Sequence, residues 1–218
     1  MLCPLYSIPS VLNTDFCIIT PLVFAVIIVF AAYFILKPVL APAADIIELI
    51  SMRQGDDSGS DDFVRIADNR DIAFGSFAFP TVGKKFGHIK VESSSIDCGF
   101  YMGDAENLLK KGVGMSVFSS LPGDHGTTLV AGHCASYFST LGNAKIGDSI
   151  YLDTSYGNFE FEIYDIQIRK ANSFSESELE NGNNELILYT CYPFNTLFSV
   201  SQRYFVYAKY VSGPNIIR

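Results

Sequence analysis

The stretch Phe159-Glu160-Phe161-Glu162-Ile163-Tyr164-Asp165-Ile166-Gln167-Ile168 carries two hydrophobic phases in one run. Phe159, Phe161 and Ile163 alternate onto one face, whereas Ile166 and Ile168 fall on the other. A slip of one residue turns the hydrophobic set over, as a β-bulge does or a strand bending around a barrel.

Outward from this run, further apolar segments of strand length follow one another: Gly87 to Glu92, Thr128 to Ala131, Ser149 to Leu152, Leu186 to Cys191 and Tyr204 to Tyr210. Gly147-Asp148 and Tyr156-Gly157 supply turns between neighbouring runs. Helical signals are short. Asp104 is placed to cap a segment through Lys111 that stops at Gly112, and Ser175 with Glu178 forms a capping-box pattern. No long helix alternates with the strands, so the expectation is a mainly β fold: a closed or nearly closed antiparallel barrel of about eight strands.

The chain has 218 residues and is 49% hydrophobic, but part of that content sits in one early block. Ile18 to Leu36 holds no charge and is long enough, at about 1.5 Å per residue, to cross a hydrocarbon core of roughly 30 Å. It reads as a transmembrane helix, with residues 1–17 as a short segment before it. A cleavable signal is the rival, because Ala41-Pro42-Ala43 offers an A-x-A arrangement; the block is longer than a signal core, and no Lys or Arg precedes it. Lys37 and Arg53 both follow the helix, a bias that on its own keeps the C-terminal side in the cytoplasm.

Residues 37–73 read as stalk and linker, with Gln54 to Asp62 small, acidic and without apolar anchors. A folded domain is expected over 74–218, about 145 residues, enough to bury roughly two-thirds of its unfolded surface. The net charge of −8 excludes the basic face that nucleic acid requires. The five cysteines, Cys3, Cys17, Cys98, Cys134 and Cys191, show neither C-x-x-C pairs nor the density of a disulfide scaffold. Three of them fall in the expected domain, which leaves at least one thiol there free or externally paired.

Three residues at strand ends carry possible chemistry. Leu188-Tyr189-Thr190-Cys191 ends an apolar strand on a thiol, before the polar, proline-containing stretch Tyr192 to Gln202. Taken alone, Cys191 reads as a small buried hydrophobe. His133 closes Thr128-Leu129-Val130-Ala131-Gly132-His133 in the same way, with Gly132 permitting close backbone approach. A thiol and an imidazole brought together favour a thiolate and a proton donor for a leaving amine. Arg203 heads the last strand, on the face of Phe205 and Tyr207 if alternation holds, where its guanidinium suits an oxyanion or a substrate backbone. Its bland alternative is a rim ion pair. His88 and His125 read as structural or surface residues.

In that chain order, strand-His, strand-Thr-Cys and strand-initiating Arg resemble the sortase family. The likeness extends through Phe86-Gly87-His88-Ile89-Lys90-Val91, Gly103-Asp104, Leu108 to Gly114, Leu121-Pro122-Gly123, Phe138 with Leu141, Gly147-Asp148 and Thr190-Cys191-Tyr192-Pro193-Phe194. Cys-Tyr-Pro-Phe and Lys111-Gly112-Val113-Gly114 are most similar to class D. So is the lack of an Asp-Pro-aromatic lid motif and of a C-terminal membrane segment. Two departures stand out. The family's T-L-x-T-C reads here Ile187-Leu188-Tyr189-Thr190-Cys191, and Cys134 stands where Arg or Asn commonly follows the histidine. A Cys134–Cys191 disulfide is conceivable, but alternation along an extended chain points Cys134 away from the face that His133 uses.

The resemblance implies a cysteine transpeptidase without cofactor or metal, anchored by residues 18–36 with its C-terminal domain outside the cell. It implies Cys191 as nucleophile on an LPxTG-like sorting signal, His133 as proton donor and acceptor, and Arg203 with a backbone amide as oxyanion support. Thr190, Leu129, Ala131, Tyr192 and Pro193 are the expected substrate contacts. The acceptor is expected to be an amine of peptidoglycan or its lipid-linked precursor. Lys170 to Asn184 and Pro193 to Gln202 are expected to select the substrate. Glu176, Glu178 and Glu180 do not form a convincing calcium set. A hydrolytic cysteine peptidase of the cell surface, and a non-catalytic membrane-tethered wall-binding barrel, are the alternatives.

Overall fold

The computed structural model describes residues 21–37, 70–179, 183–196 and 200–218. Residues 1–20 and most of the expected stalk and acidic linker lie outside the described residues, as do 180–182 and 197–199 in the two expected substrate segments. Residues 21–37 form a helix exposed along its whole length, and among the described residues no helix is long and apolar enough to cross a membrane. This helix and the β domain are separate compact units.

The domain's strands are β1 (Ile72–Ala73), β2 (Lys85–Val91), β3 (Ile96–Met102), β4 (Val113–Met115), β5 (Thr127–Ala131), β6 (Ser149–Thr154), β7 (Asn158–Lys170), β8 (Glu185–Tyr192), β9 (Gln202–Ser212) and β10 (Ile216–Ile217). Strands β2 to β9 close a barrel in the order β2-β3-β4-β5-β8-β9-β7-β6, and β1 pairs with β10 alone. Closure leaves the barrel itself without an unpaired edge strand.

The expected antiparallel barrel is corrected to a mixed one, because β3 pairs with β4 in parallel and β5 with β8 in parallel. Both parallel pairs arise where the chain crosses over before returning. The short helix Glu106–Leu109 lies between β3 and β4, and the β6–β7 hairpin lies between β5 and β8. Parallel neighbours point their C-terminal ends to the same rim, so Ala131 and Tyr189 stand side by side at the ends of β5 and β8.

The slip in phase along β7 is a bulge. Its register to β9 shifts between Ile163 and Asp165, so Ile166, past the bulge, packs on the same core that Phe161 and Ile163 fill, and Ile168 at the strand's far end is exposed. Inside the barrel Ile89, Phe100, Met115, Val130, Leu188 and Val206 pack together. On the other face of β5, β8 and β9 lies a smaller cluster of Leu129, Ile187, Phe205 and Tyr207, covered in part by Phe174, Leu179 and Tyr189.

Strands β3 and β4 had no counterpart in the hydropathy reading. Asp97 and Gly99 dilute the first, and the second is buried at all three residues and so shows no alternation. The expected helix from Asp104 to Lys111 shrinks to Glu106–Leu109. Ala105 stands at its N-cap with no side-chain bond, so Asp104 is not the cap. Of the capping box at Ser175, the reciprocal half forms: the Ser175 backbone N–H donates to Glu178 Oε1 at 3.1 Å.

Candidate active site

The parallel ladder of β5 and β8 runs one step past its formal end. Gly132 N–H donates to the Tyr189 carbonyl at 3.2 Å, and the Thr190 hydroxyl donates to the Gly132 carbonyl at 2.7 Å. Thr190 is buried and its hydroxyl bonds backbone, which makes it a brace between the two strand ends. Beyond Gly132 the chain turns sharply, the His133 carbonyl accepting from the N–H groups of Ser136 at 3.2 Å and Phe138 at 3.1 Å. Only glycine fits before this turn, because a Cβ on residue 132 would stand 2.5 Å from the Phe138 ring.

The turn decides where Cys134 points. Strand alternation stops at Ala131, so the expectation that Cys134 faces away from the site does not hold: the turn brings its thiol close enough to Cys191 for each to shift the other's pKa. The Cys134 carbonyl also accepts the Asn195 N–H at 3.2 Å, tying the turn to the segment that follows Cys191. That segment is held further by Phe194, whose ring lies edge-on to Tyr204 at 5.1 Å and occupies the space a Cβ on Gly142 would need.

Arg203 sits directly across from Cys191 in the β8–β9 register. Its Nη1 donates to the carbonyls of Val200 at 2.9 Å and Gln202 at 3.0 Å. Three influences act on Cys191. The hydrogen bond from Cys134 lowers its pKa most, burial opposes that, and the positive charge of Arg203 lowers it further, for a net value of about 6. The Cys134 thiol is pushed well up, first by its contact with Cys191 and then by its burial. Cys191 is the thiol that ionises, because it is the more exposed of the two and the one facing the guanidinium.

His133 stands at the same rim, half-buried, with Nε2 enclosed and hydrogen-bonded to nothing. Burial lowers its pKa; Glu106 and Lys110, near the short helix, act on it in opposite senses, Glu106 upward and Lys110 downward. Committed to no protein partner, this ring nitrogen can take up or release a proton when a substrate group reaches it.

Among the expected substrate contacts, Leu129 and Ala131 lie on the outer face of β5 beside Ile187 and Tyr189 of β8. Tyr192 stacks on Tyr204 at 6.1 Å and packs against the main core, while Pro193 is exposed. Phe174 and Tyr189 stack on Phe205, at 5.6 and 5.8 Å, so an aromatic floor adjoins the Cys191–Arg203 pair. Arg169 clamps the segment over this floor, donating to both carboxylate oxygens of Glu178 at 2.6 and 2.9 Å, to the Ser173 carbonyl at 2.5 Å and to the Tyr207 hydroxyl at 2.7 Å. This commits the Glu178 carboxylate to Arg169. Phe174 escaped the sequence reading because it lies in a Ser- and Glu-rich stretch, and Arg169 because its place in the sequence is that of an ordinary exposed strand residue. Of the two other histidines, His88 Nε2 pairs with Asp97 and His125 occupies a turn with φ 54°.

A family model described as the sortase domain matches residues 89–211, more than half of the chain. Sortase D of Bacillus subtilis strain 168 is 32% identical over 133 residues, covering 61% of this chain and 67% of that protein. Among solved structures, sortase C from Clostridium perfringens SM101 superposes with a TM-score of 0.54 at 24% identity, over 61% of this chain and 73% of that one. A sortase D5 transpeptidase from Clostridium perfringens gives 0.54 at 21% identity, over 62% and 83%. At these identities the structural likeness concerns the fold.

Proposed function

The chain belongs to the sortase family, and from that premise we propose that it is a membrane-anchored transpeptidase whose nucleophile is Cys191 and whose substrate is an LPxTG-like sorting signal. One observation carries the assignment. Among the described cysteines, Cys191 alone combines a pKa brought down to about 6, partial exposure and a cationic partner across the strand pair, whereas Cys98 is buried in the core and Cys134 is buried and protonated.

The Cys191 thiolate attacks the carbonyl of the signal's threonine. A C–S bond forms and, as the tetrahedral adduct collapses, the C–N bond breaks to leave a thioester. The departing amine takes a proton from His133. An amine of peptidoglycan or its lipid-linked precursor gives its proton to His133, attacks the thioester and releases Cys191. Arg203 and a backbone amide beside Cys191 stabilise the oxyanion. The aromatic floor of Tyr189 and Phe205, with Leu129 and Ala131, offers apolar contacts for the residues before the threonine. Residues 18–36 tether the domain on the outer face, where both substrates are found.

The test incubates the protein with a library of LPxTG-like peptides and examines Cys191 by mass spectrometry, then adds a wall-type amine. The expected result is a thioester on Cys191 that the amine converts to a ligated peptide, both lost in Cys191→Ala. Full transfer by Cys191→Ala would refute the assignment, and release by water alone would make the protein a hydrolytic peptidase.

A further inference from the structure

The turn carrying Cys134 and the strand end carrying Cys191 are bonded together at the rim of the barrel, and only one of the two thiols is needed as a nucleophile. Cys134 is 8% exposed, whereas Cys191 is partly open to solvent. Their surroundings are fixed from three directions: Gly132 N–H to the Tyr189 carbonyl, the Thr190 hydroxyl to the Gly132 carbonyl, and Asn195 N–H to the Cys134 carbonyl. These bonds lock the turn that carries Cys134 to the strand end that carries Cys191. The remaining thiol of the domain, Cys98, is 3% exposed on β3, whose barrel neighbours are β2 and β4.

We propose that Cys134 and Cys191 form a reversible disulfide site, in which Cys134 captures the oxidised nucleophile before it is damaged further. With a peroxide as oxidant, the Cys191 thiolate attacks one oxygen. An S–O bond forms, the O–O bond breaks, and hydroxide leaves and takes up a proton as water. The sulfur is now a sulfenic acid, oxidised by two electrons. The Cys134 sulfur then attacks it; the S–S bond forms, the S–O bond breaks, and the departing hydroxide takes the Cys134 proton as a further water. Overall, two thiols and one hydrogen peroxide give one disulfide and two waters.

The assignment of roles follows from exposure. The thiolate open to solvent meets the oxidant, and the buried thiol, held beside it by the bonded turn, needs no access of its own. Without Cys134, the sulfenic acid would persist and pass to the sulfinic and sulfonic states, which do not return. That the disulfide silences transfer rests on Cys191 being the nucleophile; that it forms does not.

The experiment treats the full chain in detergent with hydrogen peroxide, blocks remaining thiols and maps linked peptides by mass spectrometry. A Cys134–Cys191 link is expected, together with loss of thioester formation and its recovery on adding dithiothreitol. Cys134→Ser keeps a hydrogen-bond donor but cannot form the disulfide. In it, dimedone labelling of Cys191 should rise several-fold over the parent, and activity lost to excess peroxide should not return with dithiothreitol. Equal dimedone labelling of parent and variant, or links through Cys98, Cys3 or Cys17 in place of Cys134, would overturn the proposal. If the Cys134–Cys191 link forms while the oxidised protein transfers peptide as fast as the reduced one, the disulfide stands and the assignment of Cys191 as nucleophile falls.

Discussion

A thiol ordinarily titrates near about 8.5, and Cys191 is held near 6 by a hydrogen bond and a charge acting against its own burial. The order of those causes predicts the mutants. In Cys134→Ala the leading favourable contribution is gone while burial stays, so the midpoint for iodoacetamide labelling of Cys191 against pH should rise toward or past the ordinary thiol value. Cys134→Ser should shift it less, and Arg203→Ala less than Cys134→Ala. The midpoint is the quantity to measure. At pH 7 a rise from about 6 to about 8.5 cuts the thiolate fraction roughly 30-fold, but the more basic thiolate is intrinsically more nucleophilic by roughly tenfold, so the rate alone moves little. His133 runs in the other direction, because burial favours its neutral form. Thiolate and imidazolium coexist best between the two pKa values. For thioester formation, kcat/KM should therefore trace a bell with its maximum on the acid side of neutrality, its descending limb lost in His133→Ala. A profile still rising at pH 8 would count against His133 as the proton donor.

At the scale of the element, the strand ends are held by fitted pieces, and their replacement tests the fit. Gly132→Ala brings a Cβ against the Phe138 ring, an overpacking that costs about 1–3 kcal/mol and should lower Tm by roughly 3–10 °C. Arg169 secures the segment over the aromatic floor through Glu178, so Arg169→Lys, which loses the bidentate fork, should loosen it. A loss of about 1–2 kcal/mol of anchoring would raise KM for the sorting peptide roughly 5- to 30-fold and leave kcat nearly unchanged. A fall in kcat at constant KM would mean that the clamp acts on the chemistry instead. Legibility in the sequence follows the same elements. The slip at Tyr164 showed as a change of hydrophobic phase because the bulge keeps Ile166 on the core that Phe161 and Ile163 fill, and alternation put Arg203, Phe205 and Tyr207 on one side because β9 is regular there. Cys134 was misread because alternation was carried past Ala131, where the strand gives way to a turn whose hydrogen bonds come from Ser136 and Phe138. Nothing in a polar stretch such as Asn172 to Glu178 marks Phe174 as the ring that stacks on Phe205.

At the scale of the whole molecule, the mixed pairing is what assembles the site. Had β5 and β8 been antiparallel, the chain ends carrying His133 and Cys191 would have left at opposite rims. Their parallel pairing brings both to one rim, and the antiparallel return of β9 delivers Arg203 there by its first residues. The pairing is non-local, joining residues about sixty apart, and no periodicity within one strand reports its partner's direction. The proposed membrane topology likewise depends on the whole chain. Lys37 and Arg53 favour a cytoplasmic C-terminal side, whereas a transpeptidase of sorting signals has to meet its substrates outside. The charge rule does not decide the matter, since a folded domain crosses largely regardless of charge. Trypsin added to protoplasts separates the two orientations, because Arg53, Arg65 and Arg70 lie between the helix and the barrel. With the domain outside, cleavage at these arginines should release a fragment containing Cys191 into the medium without lysis. A chain that stays whole until the protoplasts are broken would place the domain in the cytoplasm and remove the wall amine as its acceptor.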